Sequence, residues 1–172
     1  MSFNDDMIRR VIEREGGDRY TDDPLDQGGA TKFGVTQSTL AGHRKSAVTK
    51  EDVKAMTLDE ARDIYKALYL VGPGIEQIED PLLRELLFDS TVQHGPGQAI
   101  RFLQRAIPLT NDLIDGVLGP KTLEALKEGQ PYRVRRQTWC ERAIFYATIV
   151  KNKPNQRRFS GGWFNRLAEF VP

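Results

Sequence analysis

The 172-residue sequence predicts a mainly α-helical fold with one small β-ribbon. Apolar residues recur at helical spacing along most of the chain, and these stretches are punctuated by capping residues, prolines and glycines. Only the segment from Asp18 to Thr36 combines turn residues with a β-prone run. A hydrophobic content of 39% and a charged content of 28% are those of a globular protein.

The first helix is predicted from Phe3 to Glu15. Its apolar positions follow the helical period, and the two glycines at 16 and 17 stop it. Turn-forming residues follow, and the run Thr31–Thr36 predicts one strand of a small ribbon.

Capping residues and prolines predict where the later helices begin. Thr49 caps a short helix through Met56, and Thr57 opens a capping box and a helix to about Leu70. An Asp80-Pro81 pair begins a helix that ends near His94. The remaining predicted helices are about Gln98–Ile107, Pro120–Gly129, Pro131–Asn152 and Trp163–Phe170.

The composition excludes several classes of protein. A single cysteine, Cys140, cannot form an internal disulfide, and with His43 and His94 it makes no recognisable metal site, so neither metal nor cofactor is expected. No apolar stretch is long enough for stable membrane insertion. The acidic N-terminus lacks a signal-peptide pattern, which predicts synthesis in the cytoplasm without a cleaved export signal.

The net charge of +1 is unevenly distributed. Residues 131–172 carry nine basic and two acidic side chains, a balance of +7, and the first 130 residues have a balance of −6. A basic segment can attract an anionic polymer, and the solvated face of a helix would give the same composition. Its aromatic residues recur at helical spacing, which favours a core over nucleic-acid binding, so no nucleic acid is expected as a partner.

Glu15 is the residue that fits its predicted position least well. At about 100° per residue it lies on the apolar stripe of its own helix, beside Ile8 and Val11. It also ends that helix, where the macrodipole is negative. Both effects disfavour the ionised carboxylate, and a carboxyl group that keeps its proton is what a general acid needs. A glutamate whose flexible stem reaches solvent would fit the same position.

Acid-catalysed glycoside cleavage needs a second polar group near the acid. Four aspartates follow Glu15 within eleven residues, and Thr31 comes after the Gly28-Gly29 turn. A helix-end glutamate facing a ribbon that carries Asp and Thr would form a cleft with polar groups on opposite walls. Each aspartate taken alone also suits a turn.

These segments resemble a known family. The motif Glu15-Gly16-Gly17, the run Tyr20–Asp26 and the run Gly28–Gln37 are similar to the signature of glycoside hydrolase family 108, the N-acetylmuramidases of phages, prophages and bacteria. Two departures are Asp18-Arg19, inserted before Tyr20, and Asp22, which stands where asparagine is common. The insertion lengthens the spacing between the glutamate and the aspartates.

The resemblance implies a lysozyme-like fold and hydrolysis of the β-1,4 bond between N-acetylmuramic acid and N-acetylglucosamine. It implies Glu15 as the general acid, with Asp23 and Thr31 as the other catalytic residues. The expected substrate-binding residues are Tyr20, Asp26, Gln37, Gln93 and His94. His94, which stands before Gly95, would also suit a helix C-terminus, where it interacts with the helix dipole.

A second resemblance covers the C-terminal part of the chain. Residues 88–99, 115–123 and 161–166 look like the predicted peptidoglycan-binding region that follows family 108 modules. It implies a lysozyme-like catalytic region at 1–95 and a helical peptidoglycan-binding region at 96–172 packed against it. It further implies a monomeric endolysin that binds peptidoglycan glycan strands in the periplasm or cell wall after release by a separate holin.

Two alternatives remain open at this point. A lytic transglycosylase cleaves the same bond without water and manages with one glutamate. A non-catalytic module would use the same fold only to bind peptidoglycan or to assist secretion, with Glu15 as a structural residue.

Overall fold

The structure, a computed structural model, describes residues 2–22 and 29–172, which divide into two compact units. One unit ends at Leu68, and the other comprises Tyr69–Pro172. Both are built mostly of helices, and the described residues form one two-stranded sheet. The predicted mainly helical fold with a small ribbon after the first helix is therefore confirmed.

The first unit contains four α-helices and the ribbon within its described residues. They are α1 (Phe3–Arg14), β1 (Thr31–Lys32), β2 (Val35–Thr36), α2 (Gln37–Arg44), α3 (Lys50–Ala55) and α4 (Leu58–Tyr65). Ser2 caps the start of helix α1, because its hydroxyl accepts from the Asp5 N–H while the Asp5 carboxylate accepts from the Ser2 N–H. The apolar stripe of α1 is buried, and this helix packs against α4.

The ribbon differs from the sequence prediction. Thr31–Thr36 was expected to form one strand, but the run folds back on itself as an antiparallel hairpin. Its two turn residues, Phe33 and Gly34, have φ angles of 55° and 73°. Two consecutive positive φ angles characterise the tight turns that match the twist of a hairpin. The prediction of a single strand was wrong because Gly34 allows a reversal after only two paired residues.

Two helical features of residues 36–71 also differ from expectation. Thr36 caps α2 by accepting from the Thr39 N–H, and this helix was not predicted. Helix α4 ends at Tyr65, and the chain continues as a π-helical segment, Lys66–Val71. The predicted cap at Thr49 is confirmed, because its hydroxyl accepts from the Asp52 N–H at the start of α3.

The second unit contains five α-helices. They are α5 (Pro81–His94), α6 (Pro96–Ala106), α7 (Pro120–Glu128), α8 (Pro131–Asn152) and α9 (Ser160–Ala168). Four of them carry proline in their first turn, where the missing N–H has no helical partner to lose. Helix α6 starts two residues earlier than predicted, because Gly95 ends α5 and Pro96 can begin the next helix at once.

The core of the second unit lies between α5, α6 and α8, which pack against one another. Leu86, Tyr146 and Leu167 form a buried cluster that tryptophan and phenylalanine side chains of α8 and α9 surround. Within residues 2–22 and 29–172, no helix has the length and apolar character needed to cross a membrane.

Candidate active site

Glu15 caps the C-terminus of α1. Its N–H still donates to the Val11 carbonyl at 3.0 Å, and its side chain is half-buried. Gly16 and Gly17 follow with φ angles of 114° and 55°, a backbone region in which residues with a Cβ are strained. The Gly17 N–H donates to the Ile12 carbonyl at 3.0 Å, which closes the last helical turn. The two glycines therefore turn the chain out of the helix directly after the glutamate.

The turn of the hairpin lies directly against the stem of Glu15. A Cβ atom built on Gly34 would be 2.7 Å from the Cβ of Glu15 and 2.5 Å from the hydroxyl oxygen of Tyr65. Real Cβ atoms do not approach other atoms so closely, so only glycine fits here. The turn of the ribbon therefore lies directly against one side of the Glu15 stem.

A buried tyrosine holds this turn in place. The hydroxyl of Tyr65, on α4, donates to the carbonyl oxygen of Phe33 at 3.1 Å. Phe33 is itself buried and has a positive φ, which costs a bulky residue of order 1–3 kcal/mol. The hydrogen bond and the burial of the phenyl ring offset that strain.

Thr31 is fixed on the same hairpin. Its backbone pairs with Thr36 on one side and exchanges two hydrogen bonds of 2.8 and 2.9 Å with Thr21 on the other. Its hydroxyl donates to the Gly29 carbonyl at 3.1 Å, and the side chain is half-buried. The structure thus places Glu15 and Thr31 in one unit, on the helix end and on the ribbon that contacts it.

Lys32 anchors the ribbon to the end of α3. Its ammonium group donates to the carbonyl oxygens of Lys54 at 2.9 Å and Met56 at 3.0 Å, and it lies 3.2 Å from the Asp18 carboxylate. These contacts tie the strand beside the turn to two other segments of the unit.

The predicted substrate-binding residues of this unit have structural contacts as well. The side-chain amide of Gln37 donates to the Val48 carbonyl at 2.7 Å. Tyr20 is half-buried and precedes the residue that bridges to β1. The Asp22 carboxylate accepts from Lys50 at 2.9 Å, and this hydrogen bond raises the pKa of Lys50.

Two of the predicted site residues, Asp23 and Asp26, lie outside the described residues. Among residues 2–22 and 29–172, no three His, Cys, Asp or Glu side chains are grouped so that they could hold a metal ion.

The second unit contains a buried ionic cluster. Arg142 and Asp89 are both fully buried, and a guanidinium nitrogen of Arg142 lies 2.7 Å from the Asp89 carboxylate. Arg166 lies 2.9 Å from the other oxygen of the same carboxylate, and Arg142 also donates to the Ser90 hydroxyl at 3.2 Å. Buried charges of this kind are tolerated only when they are paired and hydrogen-bonded.

Gln93 and His94, both predicted to bind substrate, adjoin this cluster at the end of α5. The side-chain oxygen of Gln93 accepts from Arg142 and, at 2.6 Å, from the hydroxyl of Tyr146. His94 Nε2 lies 3.2 Å from that hydroxyl oxygen. Burial, together with the positive charge of Arg142, lowers the pKa of His94 to about 4, so the ring is neutral at neutral pH.

The loop at residues 115–119 is held by hydrogen bonds to a buried glutamine, Gln104. Gln104 is fully buried, and its side-chain nitrogen donates to the Asp115 carboxylate at 2.9 Å and to the Val117 carbonyl at 3.1 Å. Its side-chain oxygen accepts from the Gly116 N–H at 2.8 Å. These bonds, with the Thr122 hydroxyl, shape the turn that leads into α7.

Sequence reasoning missed three residues of these sites. Tyr65 lies at an apolar position of α4, where it reads as an ordinary core residue. Asp89 and Arg142 could have been found from the sequence, because each is a charged residue on an otherwise apolar helix face. Each of these residues indicates a buried charge that needs a partner, but the sequence does not say which residue that partner is.

The sequence matches two known family models, one in each half of the chain. Residues 8–95, about half of the chain, match the family model described as Glycosyl hydrolase 108. Residues 98–168 match the family model described as Predicted Peptidoglycan domain. The comparison with curated protein sequences gave no match.

Among solved structures, the chain is similar to one titled "Structure of Brucella abortus SagA". The sequences are 29% identical, the TM-score is 0.78, and the match covers 97% of this chain and 90% of the other. With the order of elements, this similarity confirms the lysozyme-like fold that the sequence predicts.

Proposed function

Because the chain belongs to glycosyl hydrolase family 108 and is a peptidoglycan hydrolase, we propose that Glu15 is its general acid. In this proposal the enzyme cleaves the β-1,4 bond between N-acetylmuramic acid and N-acetylglucosamine. Glu15 donates its proton to the glycosidic oxygen, which leaves as the free hydroxyl of N-acetylglucosamine. Water supplies the new hydroxyl group at C1 of N-acetylmuramic acid.

The observation that carries the proposal is the contact between Glu15 and the turn of the ribbon. The carboxyl group stands at the end of α1, half-buried, with its stem against Gly34. A general acid must be held in a fixed position next to the bond that it protonates. The anchors at Tyr65 and Lys32 support such a fixed position, because each ties the ribbon to another helix of the unit.

We assign the second half of the reaction to Asp23 and Thr31. Thr31 stands on the ribbon that contacts Glu15, and the resemblance to the family motif supports Asp23. Their role is to position and activate the attacking water on the opposite side of the sugar. With an activated water the reaction inverts the anomeric configuration, and a carboxyl separation of about 6.5–9.5 Å is expected between Glu15 and Asp23.

We further propose that residues 1–95 carry out catalysis and residues 96–172 bind the glycan strand. Tyr20, Asp26, Gln37, Gln93 and His94 would contact substrate. The resemblance to phage and prophage enzymes supports an endolysin that acts as a monomer. Such an enzyme would cause bacteriolysis after reaching the wall through a lesion made by a separate holin.

The reaction is tested by digesting purified peptidoglycan in water enriched in heavy oxygen and analysing the fragments by mass spectrometry. Hydrolysis at the proposed bond predicts fragments that end in reducing N-acetylmuramic acid carrying one heavy oxygen. Fragments that end in reducing N-acetylglucosamine, or in unlabelled anhydromuramic acid as a lytic transglycosylase produces, would overturn the proposal. Glu15→Gln should release these products about 10²–10⁴-fold more slowly than the wild type.

A further inference from the structure

We propose that Gln93 and His94 form a hydrogen-bonding pair of fixed polarity that binds amide groups of peptidoglycan. Gln93 presents a donor and His94 presents an acceptor. The inference rests on the proposed function and deepens it, because it assigns a chemical class of ligand group to two of the proposed substrate-binding residues.

The orientation of the Gln93 amide follows from its two buried contacts. The guanidinium nitrogen of Arg142 has only hydrogens to offer, so the atom that faces it must be the amide oxygen. The hydroxyl of Tyr146 donates to the same oxygen. Burial raises the pKa of Tyr146, so that hydroxyl keeps its proton. The NH2 group of Gln93 is therefore the end of the amide that points away from the cluster.

The tautomer of His94 follows from the same tyrosine. Tyr146 donates its single hydroxyl hydrogen to Gln93. The hydroxyl oxygen of Tyr146 accepts from Arg142 at 3.0 Å. His94 Nε2 can therefore approach that oxygen only as a donor. The hydrogen of the neutral ring sits on Nε2, which leaves Nδ1 with a lone pair and the capacity to accept.

Both outward atoms are available to a ligand. Within the part of the chain that the structure describes, neither the Gln93 NH2 group nor His94 Nδ1 has a hydrogen-bond partner, and neither is among the buried polar atoms that lack one. Both side chains are half-buried. A donor and an acceptor with no internal partner, on neighbouring residues at a helix end, are thus open to the surface.

The surroundings keep the pair rigid. Arg142 is held by Asp89 and Ser90, and the His94 ring packs edge-on against Phe102 and Phe145 at centroid distances of 5.9 and 5.2 Å. Side chains locked by packing and by further hydrogen bonds lose little conformational entropy when they bind.

This polarity selects the ligand group. A carboxylate offers two acceptors, and its oxygens would be repelled by the lone pair on neutral His94. Amide groups offer carbonyl oxygens, which can accept from Gln93, and N–H groups, which can donate to His94. Peptidoglycan supplies amides from two sources, the acetamido groups of its sugars and the peptide bonds of its stem peptides.

The decisive substitution is Gln93→Glu. A glutamate keeps the shape and still accepts from Arg142 and Tyr146, but its outward atom becomes an acceptor instead of a donor. Affinity for N-acetylmuramyl dipeptide, measured by isothermal titration calorimetry, should fall by about tenfold or more. Gln130→Glu is the matched control, because it makes the same charge change at an exposed residue before α8. It should bind as the wild type does.

A measurement on the unmodified protein avoids any dependence on the folding of the variant. Titration with N-acetylmuramyl dipeptide should shift the side-chain amide resonances of Gln93 in nitrogen-15 NMR spectra. A ligand without the acetyl group then distinguishes the two amide sources, since it loses binding only if the acetamido group is recognised. Unmoved Gln93 resonances, or a Gln93→Glu variant with wild-type affinity, would overturn the inference. The ligand lacks the cleaved glycosidic bond, so these results do not depend on the role of Glu15.

Discussion

Gly34 lies so close to Glu15 that a Cβ atom at position 34 would be 2.7 Å from the Cβ of the glutamate. The position of the proposed acid is therefore coupled to the geometry of a two-residue hairpin turn. A glutamate alone at a helix end could rotate freely, but here the turn restricts one side of its stem. Rigid support of this kind is what distinguishes a positioned acid from a surface carboxylate.

Gly34→Ala should damage both stability and activity. Its methyl group would collide with Glu15 and with the Tyr65 hydroxyl, and alanine is strained at a φ of 73°. We expect a loss of about 1–3 kcal/mol in the free energy of unfolding and at least about a tenfold loss of peptidoglycan hydrolysis. Urea denaturation and the release of reducing ends measure the two effects.

Gly42→Ala is the control for that substitution. Gly42 lies within α2, and a Cβ built there meets no atom within 4 Å. Alanine should raise the free energy of unfolding by about 0.5–1 kcal/mol and leave hydrolysis unchanged. If Gly34→Ala behaved like Gly42→Ala, the contact with Glu15 would have no functional consequence.

Thr31→Val tests the hydroxyl group on the ribbon. Valine keeps the branched shape and the strand propensity but removes the group that the proposal assigns to positioning water. We expect kcat to fall by about tenfold or more, with a smaller change in KM, because the hydroxyl acts on the reacting water rather than on binding. A variant with unchanged kcat would remove Thr31 from the mechanism. Thr148→Val, on the exposed face of α8, is the matched control.

Part of the first unit could be predicted from the sequence alone. Apolar periodicity and capping residues predicted α1 and α3. The sequence also predicted that Glu15 stands at the end of α1, followed by a ribbon. The hairpin within Thr31–Thr36 was missed because its turn places Phe33, a residue unusual at positive φ, in the first turn position. Tertiary contacts with Tyr65 stabilise that choice, and they are invisible to local sequence rules.

Asp89→Asn should strongly destabilise the second unit. The substitution removes the carboxylate that both Arg142 and Arg166 contact, and it leaves two guanidinium groups without their shared countercharge. Breaking a buried ion pair in this way costs about 3–5 kcal/mol. The free energy of unfolding in urea measures it, with Asp112→Asn at an exposed residue as the control. Equal stability of the two variants would contradict the role given to the cluster.

Stability should depend on pH through His94. Its pKa is about 4 in the folded chain and 6.5 ordinarily, so the unfolded chain binds the proton more tightly. The contribution to stability is fully present above pH 6.5, decreases as the pH falls toward 4, and changes no further below that value. Between pH 7 and pH 4.5 the loss from this group is about 2 kcal/mol.

The pH effect is isolated by comparing the wild type with His94→Gln. The free energy of unfolding of the variant should fall less between pH 7 and pH 4.5, by about the same 2 kcal/mol. His43→Gln, at an exposed residue of α2, should retain the wild-type dependence. If His94→Gln and the wild type lost stability in parallel, the neutral form of His94 in the folded chain would be refuted.

In the second unit the helices could be predicted from the sequence, but the contacts between them could not. Its helices were predicted from proline and capping signals, because such signals are local. The contact between Asp89 on α5 and Arg142 on α8 joins residues far apart in the sequence, and no local rule pairs them. The polarity of Gln93 and His94 depends on that contact, so it could be derived only from the structure.

The role of Glu15 as general acid is tested by the rate at which Glu15→Gln releases reducing ends from purified peptidoglycan, measured at equal concentrations of folded protein. Glu13→Gln is the matched control, since it makes the same change two residues earlier in the same helix, at an exposed side chain paired with Arg9. We predict that Glu15→Gln loses activity by about 10²–10⁴-fold with its fold intact, whereas Glu13→Gln keeps the wild-type rate. A Glu15→Gln rate close to that of the wild type would show that Glu15 is not the general acid.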